Sequence, residues 1–261
     1  MADIIAQGIG SAFDKIEIVS NKGYKFERNG IPNIEKLQNS FMLKKVQSKG
    51  KHIAMYLDSD EEIVVINTLN MTGTWAWNQT NHKHARINFC GRNNLTFLDQ
   101  RNFGSFKIVS PKEAKKRLDL LGEDFTKFGV ASEKWGNAQL EKKYQNLEIG
   151  IVLMKDTLCC GIGNIYKAEI LWFMGIHPQK LVKDIHYATW EAIPQVVHSW
   201  VLYPAYKRGG SSIYNFRANG EMGTNQDFLW VYNKKQCPYG HKTSIIKQKG
   251  RTTWFCPKCQ I

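Results

Sequence analysis

Apolar and polar positions change their spacing twice along this chain. From Lys15 to about Phe106, short runs such as KIEIVS, KHIAMYL, EIVVINTL, ARINF and LTFLD are separated by turn material such as SDEE and GRNN. Ile53, Met55 and Leu57 alternate with Ala54 and Tyr56, the pattern of a half-buried strand. These runs predict a β-sandwich or barrel, preceded by a short helix over DIIAQGIGSAF. The charged stretch SPKEAKKRLDLLGEDF has no strand character and reads as a helix or linker. From Ser132 to about Trp200 helical signals replace the strands: Ser132-Glu-Lys offers an N-cap, and YKAEILWFM is a compact amphipathic run ended by Gly175. From about Asn233 the chain holds too few apolar residues to fold without help. The expected class is α+β, with an N-terminal β-sandwich domain and its leading helix over 1–122, a helical domain over 123–232 and a small terminal unit over 233–261.

That terminal unit contains its own source of help. Cys237 and His241 form a C-x-x-x-H pair and Cys256 and Cys259 a C-x-x-C pair. Thiolates and imidazole suit tetrahedral zinc, and four such ligands leave no open position, so a structural Zn2+ is expected. His241 is the least secured of the four, because Gly240 stands where a tighter C-x-x-C would put its second cysteine. Between the pairs, TSIIKQ and RTTWF read as two strands joined at Lys249-Gly250, a ribbon whose base the metal would pin. Lys247, Lys249 and Arg251 crowd its tip. A rigid tip would hold the Arg251 guanidinium where it can fork onto a phosphate; a merely solvated turn is the other reading the residues allow.

Composition narrows the partner. There are 36 Lys plus Arg against 23 Asp plus Glu, a net charge of +13 that favours a polyanion. Nucleic acid comes first, an anionic membrane second, and plain solubility is the bland alternative. The 261 residues, 43% apolar with eight Trp, suffice for two domains with a real core. No apolar run approaches the roughly 20 residues of a membrane span, and no basic-then-apolar leader opens the chain. A soluble intracellular protein is therefore expected, nuclear or cytoplasmic and not secreted. Six Cys are too few for a disulfide framework, and three of them lie in the terminal cluster. Cys90, Cys159 and Cys160 read as small buried hydrophobes, or the adjacent pair as a redox couple.

The segment GIGNIYKAEILWFMGIHP, Gly161 to Pro178, resembles the helix-two-turn-helix signature of the formamidopyrimidine-DNA glycosylase and endonuclease VIII family, and the ribbon resembles that family's C-terminal zinc finger. Further matches follow in the family's order: SKGKHI around Lys51, LNMTGTW around Met71, HKHARINF around His84, LDQRNFG around Arg101, and LWVYNKKQC leading into the finger. The resemblance covers nearly all the chain. Its Cys-His-Cys-Cys ligand set is most similar to one endonuclease VIII-like branch, whereas Met71, Arg101 and Phe103 are more similar to the formamidopyrimidine branch, which leaves the preferred lesion open.

The resemblance implies a bifunctional base-excision repair enzyme. It would be an N-glycosylase on oxidised bases and an AP lyase cleaving the strand by β,δ-elimination, a monomer acting on DNA with damaged bases or abasic sites held between the two main lobes. It also implies roles. Lys51, counted with the catalytic residues, would contact the phosphate beside the lesion, and Asn164 and Arg251 would hold the backbone around one flipped nucleotide. Met71 and Phe103 would wedge into the stack while Arg101 faces the orphaned base. Taken by themselves, Lys51 is a solvated surface lysine, Met71 and Phe103 are core residues and Asn164 is a helix cap. Two other functions compete: a non-catalytic binder of damaged or single-stranded DNA, and a zinc-ribbon RNA-binding protein.

One departure bears on the chemistry. Family members begin Met-Pro-Glu, and the freed proline amine attacks the sugar of the damaged nucleoside. This sequence begins MADIIAQG, so that Ala2-Asp3 falls inside the family's first helix, roughly nine residues past the usual start. The expectation is a sequence lacking its true start; the other reading is a binding protein that has lost the chemistry. Ala2 would lie on the first helix, displaced from the sugar, and Asp3 is too short to replace the lost Glu. The chain as written is expected to bind lesion DNA without forming a reducible imine, unless Ala2 or Lys51 serves as nucleophile.

Overall fold

A computed structural model describes residues 1–20, 30–70, 72–81, 83–127, 133–210 and 223–261. They fall into two compact units, the first built on Met1–Asp119 and the second on Leu120–Ser211 and Thr224–Ile261.

In the first unit, helix α1 (Ala2–Ala6) leads into β1 (Ala12–Phe13), β2 (Lys15–Ile18), β3 (Phe41–Lys49), β4 (His52–Asp58), β5 (Glu62–Thr68), β6 (Gly73–Trp77), β7 (Ala85–Cys90), β8 (Leu95–Asp99) and β9 (Ser105–Val109). One sheet runs in the order β1-β3-β4-β5-β9 and the other β2-β7-β8-β6. Phe13, Phe41, Leu43, Met55, Val65, Trp75, Phe89 and Phe97 belong to one continuous core. Some of its rings meet edge to face, as in Phe41–Phe89 at 5.2 Å and 89°, a geometry that the aromatic quadrupole favours. This is the expected sandwich, though β1, β3, β6 and β9 are not among the predicted runs and the leading helix and β4 also differ.

The leading helix stops at Ala6 instead of running to Phe13. Gly8 lies flat against Trp77, where a Cβ would sit 2.2 Å from the indole, and Gly10 turns the chain at φ +90°. Ala12 and Phe13 then pair with Met42 and Phe41. Strand β3 is absent from the predicted runs because Lys44-Lys45 interrupts its alternation, at the register shift between Leu43 and Lys45. In β4 the alternation is only partial, since Ala54 is as buried as Met55. Helix α2 (Pro111–Asp119), which occupies most of the charged linker, packs across β4 and β5.

The second unit is mainly helical. Short strands β10 (Glu123–Asp124) and β11 (Cys159–Cys160) pair in parallel. Around them are α3 (Glu133–Ala138), α4 (Lys142–Gln145), α5 (Ile149–Val152), α6 (Asn164–Phe173) and α7 (Tyr187–Val196), which continues through a π-helical stretch, Val197–Leu202, into α8 (Tyr203–Lys207). The expected N-cap Ser132 lies outside the described residues. Trp135 of α3 and Trp190 of α7 stack at 4.1 Å, and each indole N–H donates to the other residue's carbonyl, at 2.9 and 2.8 Å. That exchange satisfies both buried donors and joins the two helices. Helix α6 begins at Asn164 and is followed by Gly175 at φ +68°, the expected stop. Cys159 and Cys160 are buried, and their thiols donate to the Leu153 and Gly122 carbonyls. Strands β12 (Ser244–Gln248) and β13 (Arg251–Phe255) form the terminal ribbon. No helix among the described residues is long and apolar enough to cross a membrane.

Candidate functional site

The ribbon closes at Lys249-Gly250, where both residues take positive φ (45° and 76°) and Gln248 pairs with Arg251. Beneath it the ligand atoms of Cys237, His241, Cys256 and Cys259 all lie within 4.8 Å of one another, positioned to bind a metal. Cys237 Sγ is 3.8 Å from Cys259 Sγ, and His241 Nδ1 is 3.3 Å from the same sulfur. His241 reaches the cluster because Gly240, at φ +75°, turns the chain back so that the Cys237 N–H donates to the His241 carbonyl at 2.9 Å. Apolar support is slight. Cys237 and Cys256 share a small core with Val231 and Ala168, flanked by Trp172 and Trp254.

What the ribbon lacks in apolar packing, helix α6 supplies in polar contacts. Asn164 Nδ2 donates to the Thr252 carbonyl at 2.7 Å, and one turn on, Lys167 Nζ donates to Thr253 Oγ1 at 2.6 Å. The Thr253 hydroxyl donates to Gln248 Oε1 at 2.9 Å, and Gln248 Nε2 donates to Glu148 Oε2 at 2.6 Å and to the Pro178 carbonyl at 3.0 Å. Gly150 makes room for this amide: a Cβ there would sit 2.4 Å from Gln248 Oε1. Glu169, buried in the same helix, accepts the backbone N–H groups of Trp230, Val231 and Tyr232 at 2.5, 3.1 and 2.8 Å, so it ties down the segment entering the ribbon. The far end is fastened by the Ile261 N–H donating to the Gly175 carbonyl at 3.0 Å and by Gln260 Nε2 donating to that of Ile176 at 2.9 Å.

The seam leaves Arg251 exposed at the start of β13, with no ion-pair partner among the described residues. Lys247 is instead bound to the Thr252 hydroxyl at 2.7 Å. Buried Lys167 is brought down to about 8 by loss of solvent and by the nearby Arg251, against the pull of Glu148. Asn164 stands at the N-terminus of α6, and its Oδ1 is buried without a partner among the described residues. The N-terminal end of α6, the Asn164 amide and the Arg251 guanidinium make a surface suited to an anion.

The first unit carries the other expected residues. Lys51 is exposed in the two-residue turn between β3 and β4, next to Gly50 at φ +56°. Arg101 and Phe103 stand on the loop joining β8 to β9, with the guanidinium 4.8 Å from the Phe103 ring centre. Phe103 is 48% exposed, so it is not a core residue. Met71 lies outside the described residues. Ala2 and Asp3 form the first turn of α1, and the Met1 amine is held below its ordinary value by burial. Lys167, Glu169, Gln248 and Glu148 were not singled out in the sequence. The available signal was two charges, Lys167 and Glu169, inside an otherwise apolar helical run.

Two family models match the chain: the formamidopyrimidine-DNA glycosylase N-terminal domain over residues 4–106 and the formamidopyrimidine-DNA glycosylase H2TH domain over residues 128–217. A formamidopyrimidine-DNA glycosylase of Lactococcus lactis is 30% identical over 228 residues, covering 82% of this chain and 80% of that protein. Another, of Wolbachia sp. subsp. Brugia malayi, is 29% identical over 241 residues, covering 87% and 85%. Among solved structures, a complex between Lactococcus lactis Fpg and DNA containing an abasic site is similar at a TM-score of 0.82 and 25% identity, over 99% of this chain and 95% of that one.

Proposed function

The chain belongs to the formamidopyrimidine-DNA glycosylase family, and on that premise we propose that it is a base-excision repair enzyme. It removes oxidised bases from DNA and cleaves the strand at the resulting abasic site by β,δ-elimination. The observation that supports this most directly is the joint between α6 and β13. Asn164 is bonded to Thr252, 88 residues away, and so stands beside the exposed Arg251 at a helix N-terminus. In this reading Asn164, Arg251 and Lys51 bind backbone phosphates around the damaged nucleotide. Extrusion of a base costs a few kcal/mol, and Met71, Arg101 and Phe103 fill the space it leaves.

The metal in this reading is zinc. Zn–S bonds of about 2.3 Å give tetrahedral S···S edges of about 3.8 Å, and Cys237 Sγ and Cys259 Sγ are 3.8 Å apart. Four protein ligands close the shell, so its role is to hold the ribbon. One chain carries every residue assigned here, and the protein acts as a monomer wherever the cell keeps its DNA, nucleus or cytoplasm.

The lyase step needs an amine at the sugar, to form an imine once the base is gone. Met1 is partly buried and Ala2 lies within α1. A proline amine ahead of α1 is the group the family resemblance supplies. The test is borohydride trapping on DNA holding an abasic site or a formamidopyrimidine, with the 261-residue chain and with one extended to begin Met-Pro-Glu. The extended chain should be trapped, and the 261-residue chain should bind both lesions more tightly than unmodified duplex without being trapped. Equal affinity for lesion and unmodified DNA would overturn the repair reading. Robust trapping of the 261-residue chain would move the nucleophile to Ala2 or Lys51.

A further inference from the structure

Two loops of the first unit meet here: the one leading into β6, which holds Thr72, and the one from Asp99 to Gly104, which holds Arg101 and Phe103, assigned above to base extrusion. They share a single carboxylate. Asp99 is fully buried. Its Oδ1 accepts the Thr72 hydroxyl and, at 3.3 Å, the Arg101 backbone N–H, while its Oδ2 accepts the Gly104 N–H at 2.7 Å. Thr72 Oγ1 also accepts the Arg101 N–H at 3.2 Å, and Asn70 Nδ2 donates to the Phe103 carbonyl across the same gap. The 99–104 loop is held on its other side by Arg86 Nε, which donates to Asn102 Oδ1 at 2.7 Å. Gly104 is required for so tight a turn: a Cβ there would lie 2.7 Å from Phe97 Cζ and 3.0 Å from Asp99 Oδ2.

An apolar side chain at the end of β8 would avoid the cost of burying a polar group. The donors Asp99 collects come from both loops. Their effect is to fix the backbone on which Arg101 lies over the Phe103 ring. We infer that Asp99 is a positioning residue for base extrusion, one buried carboxylate that holds the Thr72 loop and the Arg101–Phe103 loop in register so that cation and wedge enter the stack together. This rests on the role proposed for Arg101 and Phe103.

Asp99→Asn tests it with little change of shape. Whichever way the new amide faces, the N–H of either Arg101 or Gly104 meets a donor in place of an acceptor. Extrusion is read as fluorescence of 2-aminopurine placed beside the lesion, and affinity for an unmodified duplex is measured in parallel. Because displacement of about 1 Å can cost on the order of a hundredfold, the extrusion rate should fall by about ten- to a hundredfold. Affinity for unmodified duplex should stay at the wild-type level. In a Phe103→Ala background the same substitution should cost less than in the wild-type chain, which general destabilisation would not produce. If Asp99→Asn fails to fold, Thr72→Val, which removes the Thr72 hydroxyl's bonds to Asp99 and Arg101 and leaves the Asn70–Phe103 bond in place, is used with the same expected readings. Slow extrusion in Phe103→Ala with normal extrusion in Asp99→Asn or its substitute overturns this inference alone. Normal extrusion in both overturns the role given to Phe103 as well.

Discussion

The sandwich and the ribbon hold their exposed side chains by opposite means. Arg101 and Phe103 hang from a deep apolar core in which Trp75, Phe89 and Phe97 are fully buried, and polar contacts enter only at the loop itself, from Asp99, Thr72, Asn70 and Arg86. Arg251 rises from a ribbon whose share of apolar core is little more than Cys237 and Cys256. There the rigidity comes from a metal-ligand cluster below and the Asn164, Lys167 and Gln248 contacts to the side. Apolar burial is non-directional and tolerates small errors, whereas ligand and hydrogen-bond geometry is lost when one partner is removed. The ribbon should therefore be separable from the sandwich by a single atom's chemistry.

Removing the metal should produce the largest effect. Structural zinc in small fingers binds with apparent free energies of about 10–16 kcal/mol at neutral pH, nearly all of it folding free energy. Chelation, or Cys256→Ala, should abolish amide-exchange protection across β12 and β13 while leaving that of β3, β4 and β5 intact, with about one zinc per chain lost on metal analysis. Protection lost equally from both regions would break the contrast. So would a ribbon still protected and metal-loaded in a His241→Ala, Cys256→Ala double variant.

A smaller effect is expected from Arg251→Ala. Each phosphate contact contributes about one unit to the slope of log affinity against log salt, so this variant should bind lesion DNA more weakly with a slope shallower by about one. Ribbon exchange protection should be unchanged, since Arg251 carries none of the seam contacts. An unchanged slope would mean that the tip faces solvent, and the ribbon would lose its assigned purpose.

The smallest effect concerns Lys167 and pH. Its ammonium titrates at about 8 in the folded chain, below the ordinary value of 10.5. Between those two values the unfolded chain binds a proton that the native chain does not, so stability rises with pH across that window and is lost again as pH falls toward 8. Lys167→Met should remove this rise. The check is the urea midpoint of both proteins at pH 7.5 and pH 10.5, taken as a difference so that other lysines cancel. A wild-type rise no larger than that of the variant would place Lys167 in a solvated setting and weaken the contrast between a polar seam and an apolar core.

The period-2 runs disclosed the sandwich because a strand with one buried face writes its burial directly into alternation. Strand β3 escaped because Lys44-Lys45 sits at a register shift, and the leading helix was drawn too long because Gly8 is needed flat against Trp77. Asp99 and Thr72 looked like ordinary polar positions. Nothing within a few residues of either announces that they bond to each other across two loops.

By itself the chain determined its metal cluster, its strand and helix periods and its basic balance. Each depends on residue type and spacing over a few residues, and local geometry translates those into a turn, a face or a ligand pair. What tertiary structure alone decided is which polar residues become fixed. Lys167 finds Thr253 86 residues away, Glu169 finds the Trp230 to Tyr232 backbone 61 to 63 residues away, and Asp99 collects two loops. A buried polar group costs free energy until its partner arrives, and the identity of that partner is a property of the folded chain rather than of any stretch within it.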